Sequence, residues 1–269
     1  MNWNPQNELS IPDPSHWSMQ GLVGWWRMNE ARWNGVNNDV IDSSGRGNHG
    51  KAYNGVTTAL SERGRAGSFD GVDDYVSCGN ISSTANGTAT VSAWFKLGSQ
   101  LLSSRAITYN LRLLGDGSTY MYIYPSAGGT GYVVVPVSSW KFNAWNHIAV
   151  TWSGDGTTVK GYVNGNIMIN NVTGVMAIQN IYSDNIFTIG ARYTGSNYFN
   201  NLIDDVRVYN RALSANEVWQ LYMDTQDTMS PLYASAVTRI SKIAGVSLED
   251  IASVGGIPMS SIEKIAGVQ

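Results

Sequence analysis

The feature that most restricts this chain is a recurrent punctuation. Between residues 21 and 209, short segments of alternating or continuous apolar character are set off by Gly, Asn and Asp. Ten stand out, at 21–28, 75–78, 90–97, 107–114, 120–124, 131–137, 145–152, 159–163, 186–191 and 202–209. Runs of this length, rich in valine and aromatics, are strand-like. No long helical pattern lies between them, so parallel crossovers lack their usual connector and the strands must pair antiparallel. The predicted class is all-β: a two-sheet antiparallel jelly-roll sandwich. Gly154-Asp155-Gly156 and Asn164-Gly165 fall between strand candidates, where glycine and asparagine accept the positive φ that hairpins need. Composition supports this. The 29 Gly serve turns and the 14 Tyr and 10 Trp suit pleated surfaces, while charged residues are only 14%, against about 25% in ordinary soluble domains.

The net charge of −3 offers no electrostatic footprint for nucleic acid or for an anionic membrane. The single Cys78 excludes an intrachain disulfide and a cysteine-built metal cluster, and His16, His49 and His147 are too scattered for a local metal motif. The first residues lack the basic start and apolar stretch of a secretory signal, so the expectation is synthesis in the cytoplasm. Four parts are expected: an extended arm at 1–20 with Pro5, Pro12 and Pro14, the sandwich at 21–222, a linker at 223–238 and a repeated tail at 239–269. Near the end of the sandwich, Ser214 and Glu217 form a capping box ahead of Val218, Trp219, Leu221 and Tyr222, which predicts one short helix. In the tail, Ile240, Ile251 and Ile262 recur at a spacing of eleven, as do Ile243, Val254 and Ile265, and Gly245, Gly256 and Gly267. Apolar residues three apart followed by glycine predict short α-helical units that stack on each other, on sister chains or on a partner. The tail is therefore expected to make a homo-oligomer or an attachment.

Several phrases resemble the laminin G-like, or concanavalin A-like, jelly-roll family of lectins, glycosidase appendages and phage structural proteins. They include Gly21-Leu22-Val23-Gly24-Trp25-Trp26, Asp42-Ser43-Ser44-Gly45-Arg46-Gly47-Asn48-His49-Gly50, Ser68-Phe69-Asp70-Gly71, Val91-Ser92-Ala93-Trp94-Phe95, Trp145-Asn146-His147-Ile148 and Ile203-Asp204-Asp205-Val206-Arg207-Val208-Tyr209. The resemblance covers most of 21–222, and the opening arm is most similar to phage-encoded forms. It implies a non-enzymatic virion structural or decoration protein with a lectin-like head, held to a capsid or tail protein by its C-terminal repeats. The runner-up is an extracellular bacterial carbohydrate-binding or adhesion module, and the third reading is a glycoside hydrolase. Hydrolysis needs paired carboxylates, yet Glu30, Glu62 and Glu217 stand apart in sequence.

Two sites are expected. Strict alternation in 202–209 places Asp204 with Leu202, Val206 and Val208 on the more apolar face, where a carboxylate is costly unless paired or bound to a cation. In related jelly rolls a loop like that of Asp42 and a strand like that of Asp204 share a calcium ion, so the resemblance implies structural Ca2+ held by Asp42, Asn48 and Asp204. The competing reading of Asp42 is a carboxylate capping amides of its own loop. The second site is a glycan platform: Tyr120, Tyr122 and Tyr124 alternate along one strand, and Trp140 beside Lys141 is expected to be exposed. The competing readings are half-buried strand tyrosines or a subunit contact.

Overall fold

The structure, a computed structural model, describes residues 14–81, 88–98, 104–107, 111–113, 118–123, 131–152, 159–168, 186–191 and 198–226, with 242–243, 246–247, 253–254 and 257–258. Of 104–107, 111–113, 118–123, 131–137, 224–226 and the four tail pairs the backbone alone is described. The chain divides into two units, Met1–Thr225 and Gln226–Gln269.

The first unit is the expected antiparallel sandwich. One sheet contains β1 (Leu22–Trp26), β3 (Thr57–Ser61), β4 (Gly64–Asp70), β6 (Ala89–Lys96), β11 (Trp145–Trp152), β12 (Val159–Val163), β13 (Asn166–Ile167) and β15 (Asn200–Tyr209), in the order β13-β12-β11-β6-β15-β4-β3 with β1 paired to β15. The other contains β2 (Lys51–Tyr53), β5 (Tyr75–Asn80), β7 (Ser104–Ile107), β8 (Leu111–Leu113), β9 (Ser118–Ile123), β10 (Gly131–Pro136) and β14 (Ile186–Ile189), in the order β10-β9-β8-β7-β14-β5-β2. Thus the segment read as one strand at 107–114 spans the end of β7 and the whole of β8, which pair antiparallel with each other, and β2, β3 and β4 were not foreseen. At the N-terminal end, Trp17–Met19 is a turn of 3-10 helix within the stretch expected to be an extended arm. The Gly154-Asp155-Gly156 turn lies outside the described residues.

Sequence period explains the layering. In β6, Ala89, Val91, Ala93 and Phe95 enter the core between the sheets, while Thr90, Ser92 and Trp94 are buried on the opposite face. That second face is covered by helix α1 (Ala215–Gln226), whose Val218 and Leu221 pack with Leu22, Trp25, Ala149, Tyr162 and Tyr209. The capping box forms as expected: Ser214 N–H donates to Glu217 at 2.8 Å and Glu217 N–H to the Ser214 hydroxyl at 3.3 Å. Helix α1 also carries the sandwich past the expected boundary at 222. The Asn164-Gly165 turn joins β12 to β13 with φ of +50° and +76°.

In the second unit the described residues correct the helical expectation. β16 (Lys242–Ile243) pairs with β17 (Val246–Ser247), and β18 (Ser253–Val254) with β19 (Ile257–Pro258), at the same eleven-residue period. Ala244-Gly245 and Gly255-Gly256 separate the partners. Two residues ending in glycine suit the tightest hairpins as well as they suit a helix stop, and the β-branched residues on either side favour the strand.

Candidate functional site

The expected calcium site is not assembled. β15 carries a bulge between Asp204 and Arg207, with Asp205 at φ +49°. The extra residue shifts the alternation, so Ile203, Val206 and Val208 face the inner core while Asp204 leaves it. Asp204 lies 3.0 Å from Arg63 Nε, and the Arg63 guanidinium sits 3.9 Å from the Trp94 ring. The premise of a carboxylate on the apolar face is therefore corrected. Asp205 is also buried, accepting from Arg207 Nε at 3.0 Å and from the Trp25 indole. Burial pushes the Asp204 carboxyl up to about 7 despite Arg63. Burial would raise Asp205 too, but the charge and hydrogen bond of Arg207, with the Trp25 indole, hold it below the usual range.

Asp42 follows its competing reading. Its two oxygens accept from the Trp25 amide at 2.8 Å, the Ser44 amide at 2.9 Å, the Ser44 hydroxyl at 2.8 Å and the Asn48 amide at 2.9 Å. Four donors fill the acceptor directions of a carboxylate. Asn48 is likewise engaged, its side-chain amide donating to Val23 O at 2.8 Å. Asp42, Asn48 and Asp204 thus do not fit a shared calcium ion.

Trp140, expected at the surface, is a core residue: it is buried and packs against Phe95 at 5.7 Å, while Phe142 takes the exposed place two residues on. Tyr120 and Tyr122 lie in β9, which is hydrogen-bonded to β8 and β10, with Tyr122 opposite Tyr132. Their side chains, and Tyr124 altogether, lie outside the described residues.

The three glutamates have structural partners. Glu30 accepts from the Trp33 indole and the Ile41 amide, both at 2.9 Å. Glu62, held by a hydrogen bond from Lys96 at 2.6 Å, is lowered to about 2 and is ionised across the working range of a general acid. Glu217 caps α1 and pairs with Arg211 at 2.7 Å.

A surface cleft lies at the β2 edge of the second sheet. Asp39 builds it by accepting from the amides of Asn34 at 2.9 Å, Gly35 at 2.7 Å and Ala52 at 3.1 Å, which ties the loop before β2 to the strand itself. An open cleft of about 550 Å³ results, bordered by Arg32, Asn34, Lys51, Tyr53, Asn54 and Thr57. Tyr53 is stacked on its cross-strand partner Tyr75, with centroids 4.7 Å apart and planes within 3°. Lys51 Nζ stands 5.0 Å from the Tyr53 ring. A ring face bordered by amide and hydroxyl side chains can stack on sugar C–H groups and hydrogen-bond their hydroxyls. The sequence signal passed over was the Asn54-Gly55 dipeptide directly after Tyr53, at φ of +62° and +108°.

The family model described as the concanavalin A-like lectin/glucanases superfamily matches residues 70–219. The chain belongs to that superfamily. No curated protein matches the sequence. Among solved structures, this concanavalin A-like chain is similar to domain 4 of AbnA, a GH43 extracellular arabinanase from Geobacillus stearothermophilus, in complex with arabinotriose: TM-score 0.51, 19% identity, covering 75% of this chain and 98% of that one. It is also similar to the binding domain of Paraclostridial Mosquitocidal Protein 1, with TM-score 0.57, 16% identity and coverage of 75% and 52%. The botulinum neurotoxin serotype D binding domain gives TM-score 0.57, 15% identity and coverage of 77% and 52%. The chain spans about half the length of those toxin domains. At these identities the likeness concerns the concanavalin A-like fold.

Proposed function

We propose that the chain is a non-enzymatic glycan-binding jelly roll, serving as the head of a virion structural or decoration protein and attached through its C-terminal repeats. The observation that carries the glycan reading is the open cleft lined by Tyr53, whose ring is backed by Tyr75, and by Asn34, Asn54 and Lys51. A sugar chain needs this combination of a flat ring and dispersed hydrogen-bonding groups, without a deep enclosed pocket. The Tyr120–Tyr122 strand belongs to the same sheet, near its opposite edge, and remains the second place proposed for a glycan. The arabinotriose complex of the AbnA domain supports the ligand class, and the separate 226–269 unit supports the attachment.

The test is titration calorimetry against a panel of neutral oligosaccharides that includes arabinotriose. Saturable binding is expected, and Tyr53→Ala should weaken it about tenfold, or roughly 1.4 kcal/mol, with little change in melting temperature because Tyr53 lies on an edge strand outside the core between the sheets. Absence of binding across the panel, or equal binding by Tyr53→Ala, overturns this site.

A further inference from the structure

The β4–β5 turn gathers three carboxylates, Asp70, Asp73 and Asp74, whose ligand oxygens lie within 4.8 Å of one another. Among the described residues, no lysine or arginine pairs with any of them. Two are exposed, but Asp74 is 5% exposed and its Oδ1 is buried without a hydrogen-bond partner. The Val56 amide, which also faces this carboxylate, is engaged by Tyr53 O at 3.3 Å. A buried carboxylate beside two others is unfavourable on every count: desolvation, like charge and an unfilled lone pair. A hard cation removes all three costs at once.

The carboxylates are also held in place. Asp70 Oδ1 accepts from the amides of Val72 at 2.8 Å and Asp73 at 3.4 Å, while Asp74 Oδ2 accepts from the Asp70 amide at 3.0 Å. Among the described residues, Asp70 Oδ2 and both Asp73 oxygens accept no hydrogen bond from the protein, and the Asp74 carboxylate has beyond the Asp70 amide only the Val56 amide facing it, which Tyr53 O already engages. An all-oxygen set of several carboxylates, open to water on its exposed side, suits calcium better than softer metals. We infer that Asp70, Asp73 and Asp74 form a divalent-cation site of the calcium type at the β4–β5 turn. The site adjoins the cleft through one turn of chain: the Asn54 side-chain amide donates to Asp73 O at 2.8 Å. It stands on observations separate from the glycan reading.

The test uses the full chain freed of metal by chelation and titrated with terbium, a calcium substitute whose emission Tyr75, adjacent to Asp74, is placed to sensitise. Saturable emission displaced by calcium is expected. Asp70→Asn with Asp73→Asn keeps the turn's hydrogen-bond acceptors but removes two charges, and should weaken binding by about tenfold or more, since charge count sets affinity at such sites. Should the double variant lose its circular-dichroism signature, the exposed Asp73→Asn alone decides, with the same direction. Absence of saturable emission, or undiminished binding in the folded variant, overturns the inference.

Discussion

His147 governs how this fold answers acid. The residue is 1% exposed, beside Trp94 at 5.2 Å and under Tyr222 of α1. Burial lowers its imidazole from 6.5 to about 3, so the folded chain keeps it neutral where the unfolded chain would protonate it. Between those values the unfolded state binds the extra proton, and this contribution to stability, complete above 6.5, is lost as the pH falls towards 3. Asp204 has the opposite sign: raised from 3.8 to about 7, it leaves the folded state with the extra proton, so its contribution falls as the pH rises through that window. The windows overlap, and the two single-proton differences offset between about 4 and 6.5. His147→Gln removes one of them. Relative to the wild type, the variant should gain stability on acidification from pH 6.5 towards 4, by up to about 1.4 kcal/mol per unit. Urea midpoints across that range measure it, and parallel curves for the two proteins would refute the assignment.

At the scale of elements, the contact between the β12–β13 hairpin and α1 is tested at Gly165. A Cβ there would lie 2.6 Å from the Trp219 ring and 2.9 Å from Tyr222, at a backbone φ of +76°. Gly79 shares the positive φ, +66°, with nothing within 4 Å. Gly165→Ala should therefore destabilise by more than Gly79→Ala, and by more than about 1 kcal/mol. Equal losses would mean that backbone strain alone is at work. The same contrast between local and distant causes explains what the sequence disclosed. β6 and β11 were legible because nearly every residue is buried on one face or the other, giving continuous apolar runs. β2 and β3 were not, since their half-exposed lysine, threonine and serine carry no such run, and the cleft sits on β2. The bulge in β15 was also hidden. A non-glycine residue sits there at positive φ, and besides the nearby Arg207 its carboxylate is held by Trp25, 180 residues away in the chain, a contact no local pattern records. Asp42 was legible as a loop cap because all of its donors except Trp25 lie within six residues.

For the whole molecule the question is whether the tail is separable from the head. The division at Thr225 puts both sheets and nearly all of α1 in one unit, and among the described residues every member of the core between the sheets and of the layer under α1 lies before it. The second unit has no comparable core of its own in its described strands: two pairs of two-residue strands cannot bury enough apolar surface to stand alone. Its eleven-residue period places Ile243 with Val246, and Val254 with Ile257, in successive hairpins. Ile265 and Val268 repeat the spacing once more. Two described hairpins, and a third stretch of similar sequence at Ile265-Ala266-Gly267-Val268, carry an isoleucine–valine pair at one spacing three times, which is a pattern for stacking against copies of itself or against a repetitive surface such as a capsid or tail. Deleting 236–269 is therefore expected to leave a monomeric head that melts as the full chain does, and to abolish both self-association and attachment to particles. Sedimentation and co-purification with assembled particles read the two losses separately. A truncated protein of unchanged oligomeric order that still copurifies would move assembly to the head, and the end strands of the two sheets, β3 and β13, β2 and β10, would then be the places to look, because an unpaired sheet edge offers a second copy a surface to pair with.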